Sequence, residues 1–357
     1  MKRMKNIITG FTSLFAMSLM TLPSVAQTFE VDGVEYTVVE GGVEVSKAQG
    51  IPDEYVQEPN KSYYVCHPDQ GNMIFDIPDR VTYEGNEYTV IGIGSGSFVD
   101  GYAVVNLPET IRYIKDRAFY KSDLIHINLP EGLETIGDGA FETSDICEVK
   151  FPSTLRKIGK RAFWCRLRDI VLNEGLEEIG DSAFISCHFA SPVIPKSLTK
   201  IGVRALKGTN ITSFDSGALT TLPEGLFEYA RQLRTIILRE PLAEMGPVGG
   251  ENIPQSTSDG YHGHHGDDPY LGDITARSSV LADFYVCSST PPRHTVSEDY
   301  NKRIDYYSSV LHVPAGTADV YRNAEGWSLF TNIVDDLETA LPARERLLEE
   351  LKEISDD

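Results

Sequence analysis

The chain has 357 residues, with 32 Lys plus Arg against 53 Asp plus Glu and a formal net charge of −21. A charge this negative argues against nucleic acid and anionic membrane surfaces as partners; it permits basic proteins or Ca²⁺. Five cysteines cannot all pair, and neither a C-x-x-C nor a Cys/His zinc spacing occurs, so no zinc module is expected and the thiols read as small buried hydrophobes.

Residues 1–26 open with Lys2, Arg3 and Lys5, continue through an apolar run from Ile7 to Leu22, and end on Ser24-Val25-Ala26. That order reads as a signal peptide cleaved after Ala26. Losing its three cations takes the net charge from −21 to −24. Residues 27–90 alternate in polarity and read as a β-rich N-terminal cap. Phe29 to Tyr36, with Asp32-Gly33 at the turn, and Val81 to Tyr88 are hairpins, and Ser62 to Cys66 is a strand within a loop.

From 91 to 240 the chain repeats itself. An Ile-Gly column runs through Ile93-Gly94, Ile136-Gly137, Ile158-Gly159, Ile179-Gly180 and Ile201-Gly202, with Ile114-Lys115 and Leu222-Pro223 as variants. An aromatic column follows five residues later at Phe98, Phe119, Phe141, Phe163, Phe184, Leu206 and Phe227, and both step by 21 or 22 residues. A third column of paired apolar residues runs from Val105/Leu107 to Ile236/Leu238. A unit this short cannot bury a core alone, so each coil must stack on its neighbours. The expected fold is therefore a β-rich α/β leucine-rich-repeat solenoid, a right-handed coil of about seven units of 21 to 22 residues. The small residue before each aromatic suits a tight corner, and the Gly after each Ile suits unusual φ/ψ.

Within each strand of the third column, alternation turns the apolar residues inward and their neighbours outward. The outward ladder is the natural binding face: Asn106, His126, Asn128, Glu148, Lys150, Asp169, Ser191, Ser213, Asp215 and Thr235. It carries neither an aromatic platform for sugar rings nor a repeated Asp column for calcium.

Residues 241–275 read as a Gly/His-rich loop insertion. Within it Tyr261-His262-Gly263-His264-His265-Gly266-Asp267-Asp268 groups three imidazoles with carboxylates, and His262, His264, His265 and Asp267 could chelate a transition metal. Flanking glycines leave such a loop soft, and no H-E-x-x-H helix sets a spacing or supplies a base. Residues 276–334 hold terminal repeat units, with strands at Phe284 to Cys287 and Val310 to Val313 and a short helix from Thr317 to Ala324. Residues 335–357 form a C-terminal helix, with Pro342 suiting its first turn and Leu337, Leu341, Leu348 and Leu351 on one side. That helix covers the last coil or binds a partner.

The repeated unit LP-x-x-L-x-x-IG-x-x-AF resembles the BspA-like, or treponemal-type, leucine-rich repeats of bacterial surface and secreted proteins. Val81 to Gly94 is similar to that family's opening hairpin and Leu311 to Trp327 to its terminal unit. The resemblance implies adhesion to host proteins or other cells, so the expected function is an exported, non-catalytic module that binds a protein or glycan. A structural envelope scaffold is the alternative, and a metal-dependent enzyme using the histidine loop comes third. No cofactor is implied, no catalytic residue stands out, and no membrane insertion follows signal cleavage. The place of action is the periplasm, the cell surface or the medium.

Overall fold

The computed structural model describes residues 27–48, 74–98, 104–246, 283–295, 306 and 309–355, except 166, 169, 189–193 and 231. The signal peptide, the strand Ser62 to Cys66 and the histidine loop lie outside these residues. So do Asp169 and Ser191 of the ladder.

Two hairpins open the molecule. Thr28–Val31 pairs with Val34–Val39, and Arg80–Tyr83 pairs with Asn86–Ile93, both antiparallel. Each turn has two residues at positive φ, Asp32 (51°) with Gly33 (78°) and Glu84 (49°) with Gly85 (79°). That is the turn geometry whose twist matches the strands it joins. Val34–Val39 pairs onward with Gly42–Ala48, which lies parallel to Asn86–Ile93. The cap thus covers a sheet edge that would otherwise be open to pairing. Phe29 stacked on Tyr83, with centroids 4.4 Å apart, ties the hairpins together.

Beyond the cap each coil carries two strand positions. At the first, Tyr113–Ile114, Thr135–Ile136, Lys157–Ile158, Glu178–Ile179 and Lys200–Ile201 pair in parallel, with each Ile facing the core. At the second, Ile74–Asp76, Val104–Asn106 and His126–Asn128 make a three-stranded sheet. Ser213–Asp215, Thr235–Leu238, Asp283–Val286, Val310–His312 and Asn332–Val334 make a five-stranded one. Between these two sheets the strand expected in every unit is missing at 148–150. Among the described residues there, Arg168 N–H donates to the Cys147 carbonyl and His188 N–H to the Leu167 carbonyl, each at 2.7 Å.

The aromatic column is a continuous stack. Rings of Phe98, Phe119, Phe141, Phe163 and Phe184 follow one another at 4.8, 5.2, 5.1 and 5.7 Å, nearly parallel, and are fully enclosed. At this corner each coil donates forward: Phe119 N–H to the Ala140 carbonyl, Phe141 N–H to Ala162 and Phe163 N–H to Ala183. A side chain larger than Ala would hold those backbones apart. At the Ile-Gly segment the direction reverses, with Gly137 N–H donating back to the Ile114 carbonyl and Gly159 N–H to Ile136, both at 2.8 Å.

The glycines after Ile are required for a reason other than φ. Gly137, Gly159, Gly180 and Gly202 are absent from the positive-φ positions. A Cβ on Gly159 would lie 2.5 Å from the Gly137 carbonyl carbon and 2.6 Å from the Asp138 nitrogen. Close approach of the preceding coil therefore selects glycine. Left-handed backbone occurs two residues later, at Arg117, Gly139, Arg161, Ser182, Arg204 and Gly225, with φ between 52° and 64°.

The repeat, legible in the sequence to Leu238, continues further in the fold. Thr221–Leu222, Glu244–Met245 and Arg293–His294 pair in parallel, so Met245 and His294 occupy the core position of Ile. The short helix is Ala318–Arg322, and its first N–H is met by Asp335, 2.7 Å from Ala318 N, while Thr317 bonds Pro314 instead of capping. The C-terminal helix is Leu337–Ser355, which places Pro342 inside it and not in its first turn. It starts there because the Asp336 carbonyl takes the N–H groups of Thr339 and Ala340.

Candidate functional site

In the N-terminal half of the ladder the alternation is as expected. Val105 and Ile127 face the core, and Asn106, His126 and Asn128 face solvent. Asn106 donates to Asp76 on the neighbouring strand at 2.6 Å, so the first rung is held in place. Glu148 and Lys150 are exposed, and Val171 next along the row is 68% exposed, the most exposed large apolar side chain among the described residues. This half presents mixed polar and charged groups on stacked backbone.

The C-terminal half differs. Ser213 and Thr235 are 8% and 1% exposed, although the alternation turns them outward. The C-terminal helix lies over Thr235. Leu337 and Leu341 pack with Ile237 and Tyr285 into a small cluster separate from the main core, flanked by Cys287 and Ala340. Arg344 reaches the Thr235 hydroxyl. Arg239 bridges Asp215 (2.7 Å) and Glu345 (2.6 Å), and its pKa is raised first by the Asp215 bonds and further by Glu345. Asp336, just before the helix, contacts His312 Nδ1 at 2.6 Å, and the His312 ring stacks on Tyr285 with centroids 4.5 Å apart. Ser213, Asp215 and Thr235 are therefore engaged within the chain. The leucine stripe signals a buried face in the sequence, but not which surface buries it.

A shallow groove of about 520 Å³ runs along the Ile-Gly sheet, with Gly137 and Gly159 as floor and Tyr113, Thr135, Lys157 and Asp138 at its sides. At its head Glu44, 7% exposed, takes Lys115 (2.7 Å) and the Tyr113 hydroxyl (3.0 Å), and burial together with the Glu44 charge pushes the Tyr113 phenol well up. These groups saturate one another. An aspartate column beside the groove does structural work: Asp116, Asp138 and Asp181 each accept the backbone N–H of the next coil, at 2.7 to 3.0 Å. Burial raises the Glu142 pKa against the opposing pull of Arg161, Arg117 and Lys121 around it. Among the described residues no group of three His, Cys, Asp or Glu could hold a metal ion. His262, His264, His265 and Asp267 are not among them. Cys147 is disulfide-bonded and so is not the buried thiol expected from the sequence, whereas Cys165, Cys187 and Cys287 are free.

Short parallel strands stacked at a constant sequence step over an unbroken phenylalanine stack define a leucine-rich-repeat solenoid. Residues 86–165 and 164–248 match the BspA-type leucine-rich repeat region in six copies. It is similar to a leucine-rich repeat protein from Bacteroides ovatus, with 18% identity, 85% of this chain and 88% of that one covered, and a TM-score of 0.37. It is also similar to the pneumococcal vaccine antigen PcpA, with 15% identity, coverage of 87% and 98%, and a TM-score of 0.43. The leucine-rich repeat protein of T. pallidum matches at 20% identity, coverage of 62% and 87%, and a TM-score of 0.39. No curated protein matches the chain.

Proposed function

We propose that this chain is an exported, non-catalytic interaction module that binds a protein through the open N-terminal half of its ladder, in the manner of an adhesin. The supporting observation is the row Asn106, His126, Asn128, Glu148 and Lys150. It is exposed and, among the described residues, no element covers it, whereas Thr235 on the same face lies under the C-terminal helix. Groups of both signs on a rigid lattice suit the polar surface of a folded protein better than a sugar ring, which wants an aromatic platform. Export is supported by the basic-apolar-small pattern of 1–26 and by the Cys147 disulfide, a bond that persists in oxidising compartments. No described helix is long and apolar enough to cross a membrane.

The test is a binding screen of residues 27–357 against extracellular-matrix proteins and a glycan array, at two salt concentrations. A protein hit weakened by Asn128→Ala and Lys150→Glu supports the reading. A glycan hit, or a protein hit indifferent to both substitutions, overturns the assignment of this face.

A further inference from the structure

We propose that the C-terminal helix is a detachable cover, and that the face beneath it is a second, latent binding surface for an amphipathic helix of a partner protein. The inference extends the reading of the ladder as a binding face.

Three observations carry it. First, the helix is bound outside the core. Leu337, Leu341, Ile237 and Tyr285 form their own cluster, while Ile236, Phe284, Val286 and Leu311 on the same strands belong to the main core from the opposite side of the sheet. The helix can leave without opening a coil. Second, the other described ties of the helix are polar. Among its described side chains Leu337 and Leu341 supply the buried apolar contact. Arg344 to Thr235, Glu345 to Arg239, Asp336 to His312, Ala315 N–H to Glu338 and Leu337 N–H to the Val313 carbonyl are contacts that water can replace.

Third, the covered face is built to receive a helix. Hydrogen-bonded strands lie about 4.8 Å apart and a helix rises about 5.4 Å per turn, so residues four apart on a helix laid across the strands meet neighbouring rungs. Leucines at 337 and 341, followed by Arg344 and Glu345, meet apolar Ile237 and Tyr285 and polar Thr235 and Arg239. A partner helix with leucines four apart, then an arginine and a glutamate, would match the same groups. The N-terminal half of the ladder, with Asn106, His126, Asn128, Glu148 and Lys150 outward, offers no such apolar seat. Two halves of one face thus fit two kinds of partner surface.

Full-length protein provides the test. Amide hydrogen exchange is expected to show the amides of 341–347 exchanging about tenfold or more faster than those of Thr235–Leu238 and Asp283–Val286, as a locally detaching element does. Equal protection would mean that the helix leaves only when the solenoid unfolds, and would overturn the proposal. Cys287 gives a second readout, because it lies beside the helix cluster while Cys165 and Cys187 are enclosed in the core. In the full chain carrying Leu337→Ala and Leu341→Ala, alkylation of Cys287 should accelerate about tenfold with the two core thiols unchanged. Acceleration of all three together, or of none, would overturn detachment. A synthetic peptide of residues 335–355 added to this variant should slow Cys287 alkylation again in a saturable way, and absence of protection would remove the latent helix site. None of these readouts needs the ligand of the open half, so a failed binding screen and a failed helix proposal are told apart.

Discussion

The two halves of the outward ladder share one backbone lattice and differ in what stands on it. In one, Asn106, His126, Asn128, Glu148 and Lys150 face water; in the other, Thr235, Ile237 and Tyr285 face a helix of the same chain. Inward-facing residues are apolar in both, so the core does not distinguish them. Stacking coils fixes where side chains stand, and the choice of a few outward residues decides whether a face is open or already occupied. The core columns therefore report the fold, and only the residues between them report the partner.

The most severe way to test that division is to break what the halves share. Phe141→Ala removes the middle of the ring stack, 5.2 Å from Phe119 and 5.1 Å from Phe163, and should cost about 3 to 5 kcal/mol by cavity formation. A melting curve showing loss of both halves together is the expected result; an unchanged curve would mean that the stack is not the core.

A second break is confined to the C-terminal side. His294 stands in the Ile column, 3% exposed, and burial, offset in part by the Gly326 backbone, pulls its imidazole down to about 4. Because the unfolded chain binds this proton near pH 6.5 and the folded chain only near pH 4, stability is full above about 6.5. It then falls with acidification toward 4, by roughly 1.4 kcal/mol per pH unit. Denaturant midpoints measured between pH 7 and pH 4.5 should drop in the native chain, and His294→Leu should remove most of that slope.

How much of this was legible follows from what each residue reports. The columns of Ile and Phe are visible because every coil repeats them against an identical neighbour. The units ending at Met245 and His294 are not, since the core residue changes type and the spacing stretches from 222 to 245 and then to 294. Glycine after Ile is visible as a requirement, but composition cannot separate a need for positive φ from a need for no Cβ. Alternation separates Val105 and Ile127, which are buried, from Asn106, His126 and Asn128, which are exposed. The cover over Thr235 is a helix more than a hundred residues later in the chain, and no local pattern encodes that meeting.

The glycine distinction leads to a milder test. Gly159→Ala should cost about 1 to 3 kcal/mol, because its Cβ meets backbone that must shift. Gly316→Asn, at φ 79° with nothing within 4 Å of its Cβ, should cost less, since Asn tolerates left-handed backbone. Equal losses in thermal unfolding would show that close approach and φ were not separated. The smallest expected effect on stability is Lys150→Glu, within about 0.5 kcal/mol because the side chain is exposed. Binding, not melting, should register it, and this sharpens the contrast between columns that hold the fold and rungs that face outward.

The hydrogen bonds between coils have one further consequence. At the phenylalanine corner the coils from Phe98 to Phe184 hand an N–H group to the coil that follows, and at the Ile-Gly segment Lys115, Gly137, Gly159 and Gly180 hand theirs to the coil before. That part of the stack is thus a vector, in which successive units present the same pair of connectors. Genetic duplication or loss of one whole unit would splice into this scheme without leaving a broken connector, whereas a fraction of a unit would rotate every later side chain out of line. Length is in this sense a free variable of the molecule, and the place where the C-terminal helix comes to rest on the face is what a change in length would move.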